Sequence, residues 1–392
     1  MKLFIASLLF ILTISLNGQN IPLTGYRHLQ DTTLQSAHLG YGKNISVIVP
    51  QDYNPSTAKQ YPLIVLFDRQ NQVNCNYILQ TISYLTAFDQ MPASVIITIE
   101  SDNDKRVMET ALKPSNINAL GEKNERFVIE ELLPLARKKY HANNFELLIG
   151  HSRYAYFTTY LLARHLPTLN AVISVSPFYL QKNINLVDTL VNKVKTTGGI
   201  ANNIYYQFAT GDSIPDTQDY SLMAGALGEK PLPNFFKYNG YTYYYANHFT
   251  TPGLTASNAL YTIFSQWTLA ANKYYNDTLS EKTEADKYKK AMVSIADYGD
   301  KINFSLGTLN GKGWQYYNNN HKDRAIATWQ VAINAYPGFS ELYLYMALAA
   351  KEDKKPFDSY IKSFKESILN STFYSEEDRR NLIKECEEIE KE

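Results

Sequence analysis

A mainly parallel β-sheet with helices on both faces, followed by an all-helical region, is the architecture that this 392-residue sequence predicts. Three observations carry that prediction. Short apolar runs alternate with stretches of helical period between residues 45 and 271, and such runs are strands buried on both faces, joined by the helices that cover them. One run, Leu147-Leu148-Ile149, ends on Gly150-His151-Ser152 and passes directly into an amphipathic helix. From Glu281 onward the strand pattern stops, and charged residues recur at helical spacing.

Residues 33–50 alternate and turn at Gly40-Tyr41-Gly42-Lys43-Asn44, a hairpin whose second arm, Ile45–Pro50, forms an antiparallel edge. Leu63–Phe67 is a buried strand, Val73–Phe88 a helix, and Val95–Ile99 a strand. Glu122–Tyr140 has the period of a long amphipathic helix; a strand at Glu146–Ile149 and a helix at Ser152–Arg164 follow. Further strands are expected at Ala171–Val175, Ile204–Ala209 and Tyr241–Tyr245, with a helix from about Thr255 to Ala271.

Residues 1–18 place one lysine before an apolar run that ends in small and polar residues, the pattern of a secretory signal peptide. The run is shorter than the ~20 apolar residues of a spanning helix, so an exported chain, periplasmic or secreted, with no membrane span after signal removal is expected. Domains are expected at 19–275, the α/β part, and 276–392, the helical part. The 38 basic and 38 acidic residues cancel, and no basic cluster is interleaved with aromatics, which argues against a nucleic-acid partner. The two cysteines, Cys75 and Cys386, have no metal-ligand spacing, and neither a metal nor a cofactor is implied.

The Gly150-His151-Ser152 corner has the form of a nucleophile elbow, a strained strand-to-helix turn that lifts a serine hydroxyl above a sheet edge. The usual pattern has a second small residue two positions after the serine, and here Tyr154 stands in its place. A serine needs a base, and the base needs an acid to fix its tautomer. In chain order the acid should follow a late strand and the base the last one. Gly211-Asp212-Ser213-Ile214-Pro215-Asp216 follows the strand at 204–209, and Ala246-Asn247-His248 follows the strand at 241–245. Of the seven histidines only His248 lies late enough at a strand end to be the base. Asp212, nearest the strand end, is the favoured acid, Asp216 the runner-up, and Asp219 shares the loop.

Two N–H donors should face the developing oxyanion. Arg153, next after the serine, supplies one; Arg69 or Gln70, in the loop after the strand at 63–67, supplies the other. Two arginine side chains would then reach one pocket and favour a substrate carrying an anion, unless each pairs with a nearby acid.

These residues resemble the esterase family of α/β-hydrolases that includes enterochelin esterases, feruloyl esterases and esterase D. The resemblance covers residues 25–275 and rests on Tyr61-Pro62-Leu63-Ile64-Val65-Leu66-Phe67-Asp68, Glu125–Pro134, Gly150-His151-Ser152, Ser174-Val175-Ser176-Pro177 and His248. It implies an α/β-hydrolase fold and the triad roles for Ser152, His248 and an aspartate at 212 or 216. A small-molecule, glycan or siderophore-type ester is the implied substrate. The family's glycine pair after the serine is Tyr154-Ala155 here, and its acidic residue three after the acid-loop glycine is Ile214.

In the helical part, Leu309, Gly313, Tyr316, Ala325, Trp329, Ala332 and Pro337 fall at tetratricopeptide positions of one 34-residue repeat, a surface open to a protein partner. The expected activity is serine carboxylic-ester hydrolysis. The alternatives are an acyltransferase with the same triad, and a catalytically impaired binding or scaffold protein that uses the repeat.

Overall fold

The computed structural model describes residues 23–113, 115–212, 216–229, 231–371 and 373–391. The signal segment expected at 1–18 lies outside them. The chain enters through an antiparallel pair, β1 (Tyr26–Gln35) and β2 (Gly42–Pro50). Then β3 (Tyr61–Leu66) leads to α1 (Gln72–Ala87), and β4 (Val95–Ile99) leads to α2 (Asn103–Glu109) and α3 (Gly121–Arg126). A π-helical turn at Phe127–Leu132 continues α3 into α4 (Leu133–Tyr140), so the long helix expected there is one stretch in three sections. Next come β5 (Ala142–His151), α5 (Arg153–His165), β6 (Ala171–Val175), the short hairpin β7 (Leu180–Gln181) and β8 (Ile184–Asn185), and α6 (Leu186–Thr196). The last strands, β9 (Ile204–Gly211) and β10 (Phe236–Tyr243), flank α7 (Asp216–Gly228).

Eight of these strands form one sheet in the order β1-β2-β4-β3-β5-β6-β9-β10. From β4 onward all neighbours run parallel, and β1 and β2 supply the antiparallel edge. Every residue of β3, β4 and β6 is buried. Successive side chains take opposite faces: Leu63 and Val65 join one apolar cluster with α5, α6 and α7, while Ile64 and Leu66 join another with α1.

After β10 the described residues are helical: α8 (Thr251–Ile263), α9 (Ser265–Asn276), α10 (Glu284–Ser294), α11 (Leu306–Asn318), α12 (Lys322–Ala335), α13 (Glu341–Glu352), α14 (Asp358–Asn370) and α15 (Glu376–Lys391). The single helix expected at 255–271 is thus two, broken where Phe264 leaves helical geometry at φ −96° and ψ 16°. β10 begins at Phe236, earlier than its sequence suggests, because it is an edge strand: only Phe236 is buried, and Lys237 to Asn239 face solvent. Trp329, Leu342 and Met346 share one apolar cluster with Ile64, Leu66 and Phe145, so the helices pack on the second face of the sheet. None of the described helices is long and apolar enough to cross a membrane.

Candidate active site

The parallel strands deliver their carboxyl ends to one edge, and the chemistry-bearing residues collect there. At the end of β5 the chain turns from strand to helix at one residue. Ser152 holds φ 56° and ψ −114°, a region that L-residues enter only under constraint. Its N–H donates to the Val175 carbonyl at 2.8 Å, and Tyr156 N–H closes on the Ser152 carbonyl at 3.1 Å. A Cβ at Gly150 would lie 2.3 Å from the Tyr154 carbonyl oxygen, so only glycine fits there.

Tyr154 is accommodated because it turns its backbone, not its ring, toward Gly150. The ring is fully buried and stacks on Phe67 at 4.6 Å. Its hydroxyl donates to Glu109 Oε2 at 2.7 Å and shares a hydrogen bond of 2.5 Å with Ser101 Oγ. Lys43 Nζ reaches both Glu109 oxygens at 3.0 and 2.8 Å, and Tyr41 donates to Oε1 at 2.6 Å. Burial pushes the Glu109 carboxyl up, but the Lys43 charge and the bonds from Lys43, Tyr41 and Tyr154 outweigh it and hold the group below its ordinary value. Sequence reasoning missed Lys43 and Glu109: they lie 66 residues apart, and Glu109 lies 45 from Tyr154.

His248 follows β10, beyond a turn in which Tyr245 adopts φ 66°. Its Nδ1–H donates to Asp216 Oδ2 at 2.8 Å, which leaves Nε2 as the nitrogen with a lone pair. The favoured acid, Asp212, does not touch the imidazole. Its Oδ2 accepts the Tyr245 N–H at 2.7 Å, bracing the turn before His248. The third aspartate, Asp219, accepts the Tyr179 N–H at 2.7 Å. Asp216 lies within α7 (Asp216–Gly228), and from that helix its carboxylate reaches the His248 ring. Close packing helps, since a Cβ at Gly211 would fall 2.2 Å from the Ala246 carbonyl oxygen.

His151 supports the same loop from beneath. Its Nε2–H donates to the His248 carbonyl at 2.8 Å, and the two rings lie 4.7 Å apart. Burial, and after it the neighbouring His248, pushes its imidazole down to about 4, so the ring is neutral at physiological pH. No hydrogen bond joins Ser152 Oγ to His248 among the described residues, a contact that in hydrolases of this kind tightens with substrate bound.

Of the expected oxyanion donors, Arg69 is excluded. Its N–H donates to the Ile99 carbonyl at 2.9 Å, and its guanidinium pairs with Asp31 and Glu100 at 2.8 and 2.7 Å. Gln70 is held by its side chain, which donates to Asp68 Oδ1 at 2.8 Å and accepts the Ser101 N–H at 3.0 Å. Its backbone N–H has no acceptor among the described residues. Arg153 is the first residue of α5, where a backbone N–H has no intrahelical partner. The loop between β3 and α1 is anchored by Arg106, which grips both oxygens of Asp68 at 2.7 and 2.6 Å and reaches the His151 carbonyl at 3.2 Å.

A mainly parallel sheet covered by helices, with a constrained serine where a central strand turns into a helix, gives the chain the α/β-hydrolase fold. Solved structures agree on the fold. An uncharacterised protein from Capnocytophaga ochracea superposes with a TM-score of 0.61 at 14% identity, covering 92% of this chain and 99% of that one. An IroE-like serine hydrolase from Shewanella oneidensis gives 0.57 at 14% identity, over 79% of this chain and 99% of its own. The siderophore hydrolase EstB from Aspergillus nidulans gives 0.51 at 14%, over 63% and 98%. No curated protein matches the sequence. The family is nonetheless plain: residues 36–250 match the family described as Putative esterase, and the chain belongs to it. Ester hydrolysis is the activity that membership supports.

Proposed function

We propose that this protein is an exported serine esterase that cleaves carboxylic esters through an acyl-enzyme on Ser152. The observation that carries the reading is the His248–Asp216 hydrogen bond of 2.8 Å at the sheet edge that also carries the Ser152 corner. Asp216 holds the imidazole in the tautomer whose Nε2 accepts the serine proton. The Ser152 oxygen then bonds to the ester carbon, and the carbonyl oxygen becomes an oxyanion facing the Arg153 and Gln70 N–H groups. Collapse expels the alcohol, which takes its proton from His248 Nε2. Water repeats the sequence, with His248 as base, to release the acid. The strain at Ser152 suits this role, since an elbow of this kind keeps the hydroxyl clear of the sheet.

Export rests on the signal-like residues 1–18, and the division at 275/276 on the charged, helical sequence pattern that sets in from Glu281. Fluorophosphonate labelling tests the chemistry. Folded wild-type protein should label, and Ser152→Ala should not; a folded wild type that stays unlabelled overturns the proposal.

A further inference from the structure

The geometry points to Arg153 as the residue that selects substrate: we propose that the site takes esters carrying a carboxylate or an equivalent anion within a few bonds of the scissile carbonyl. The inference rests on the serine-esterase reading and adds the substrate class to it.

The carboxylates at this edge are held by other groups. Asp216 is taken by His248, Asp68 by the two-pronged grip of Arg106, and Asp212 and Asp219 by the backbone N–H groups of Tyr245 and Tyr179. Arg69 lies between Asp31 and Glu100, so one of the two arginines singled out in the sequence is already neutralised. Arg153 is different. Among the described residues its guanidinium has neither a carboxylate partner nor a hydrogen-bond acceptor, although it is partly buried. The charge that bears on it is that of Arg106, of like sign.

Withdrawing a guanidinium from water without a partner is costly, and proteins normally supply an acid. Here an aromatic platform replaces the acid. The Arg153 guanidinium lies 5.8 Å from the centre of the Phe178 ring, and Phe178 is itself stacked on Tyr156 at 5.0 Å with the planes 6° apart. A cation held over a ring keeps its N–H edges free, and those edges form a fork that fits a carboxylate with two parallel bonds. The N-terminus of α5 adds a favourable field for an anion. Position fixes the distance: the same residue offers its backbone N–H to the reacting carbonyl and its side chain to the anion.

Four aryl esters test the proposal on the full chain. 4-Nitrophenyl hemisuccinate against 4-nitrophenyl butyrate places the anion on the acyl side, and 4-acetoxybenzoate against 4-tolyl acetate places it on the leaving group. The readout is the ratio of kcat/KM within each pair, corrected for spontaneous hydrolysis and compared between wild type, Arg153→Met and Arg153→Lys. Intrinsic reactivity cancels in that comparison. In at least one pair the anionic preference should fall about tenfold to a hundredfold in Arg153→Met, as loss of a hydrogen bond to a charged group predicts. Arg153→Lys should keep part of it. Turnover with unchanged ratios in both pairs overturns this inference alone. Failure of folded wild-type protein to hydrolyse any of the four removes the esterase reading and the inference with it.

Discussion

The two halves of the catalytic edge are built on different principles. On one side, β3, β4 and β5 end in a buried ionic lattice: Lys43, Glu109, Ser101 and Tyr154 satisfy one another, and Arg106 locks Asp68 beside them. On the other side, β9 and β10 end in loops where Tyr245 is fully exposed and Phe249 is 71% exposed, and three aspartates each hold one contact. The serine corner belongs to the first half, and the histidine and its acid to the second. The Ser152 corner is thus fixed by packing, whereas the His248 ring is placed by its hydrogen bond to Asp216 and by the braced turn before it. The first arrangement is rigid and insensitive to any one loop; the second is where single substitutions should change chemistry without changing the fold.

The largest effect should separate the two aspartates. Asp216→Asn should lower kcat by about 10³–10⁴-fold, the cost of losing the correct imidazole tautomer. Asp212→Asn, which loosens only the Tyr245 turn, should cost less than about tenfold in kcat, since one hydrogen bond is at stake. Steady-state assays on a neutral aryl ester compare them, and equal losses would dissolve the distinction drawn between their roles.

On the braced side the damage should appear as stability. Lys43→Met strips the partner from a buried carboxylate, and denaturant unfolding should show a loss of about 3–5 kcal/mol. A loss under about 1 kcal/mol, the range of an exposed pair, would mean that the lattice contributes little.

A smaller, pH-dependent term comes from His151, which lies between the halves. Its folded-state value is near 4, below the ordinary 6.5, so the unfolded chain takes up its proton first as pH falls. Stability from this group is therefore complete above about pH 6.5 and is lost as the pH drops toward 4, by roughly 3 kcal/mol across that window. His151→Gln lacks the term, and its Tm should fall less steeply than that of the wild type over the same range. Parallel Tm curves would contradict the assignment.

The same contrast explains what could be read from the sequence. The sheet was legible because buried parallel strands leave continuous apolar runs, as at Leu63–Phe67 and Val95–Ile99. Ser152 was legible because its constraint is local: Gly150 stands two residues before it, and strand and helix adjoin. The position of His248 at this edge was legible from its slot after the last strand. Its hydrogen-bond partner was not, because the choice between Asp212 and Asp216 depends on how the chain folds after β9, and the turn at Tyr245 that occupies Asp212 lies 33 residues further on. The fit of Tyr154 in place of the usual small residue was hidden for a related reason. Its hydroxyl is satisfied by Ser101 and Glu109, both distant in the chain, and no local pattern announces such a partner. The exclusion of Arg69 as an oxyanion donor was equally hidden, since its N–H is spent on Ile99 of a neighbouring strand.

His248 is the last of the candidate site residues in the chain, yet the strands that carry the site are held by residues further on. At the amino end of the strand that carries Ser152, Asn143 donates its side-chain amide to the Tyr298 carbonyl at 2.8 Å, and the Tyr298 ring packs on Phe145 at 5.1 Å. Just before β3, Gln60 N–H donates to the Lys301 carbonyl at 3.2 Å. The two strands that end in the serine corner and the oxyanion loop are therefore moored, at their other ends, by residues far beyond the family's matched span. A chain stopped at Asn276 would keep every candidate site residue and lose these contacts at the far ends of β3 and β5. The support of the candidate site thus extends past the matched span into the helical part.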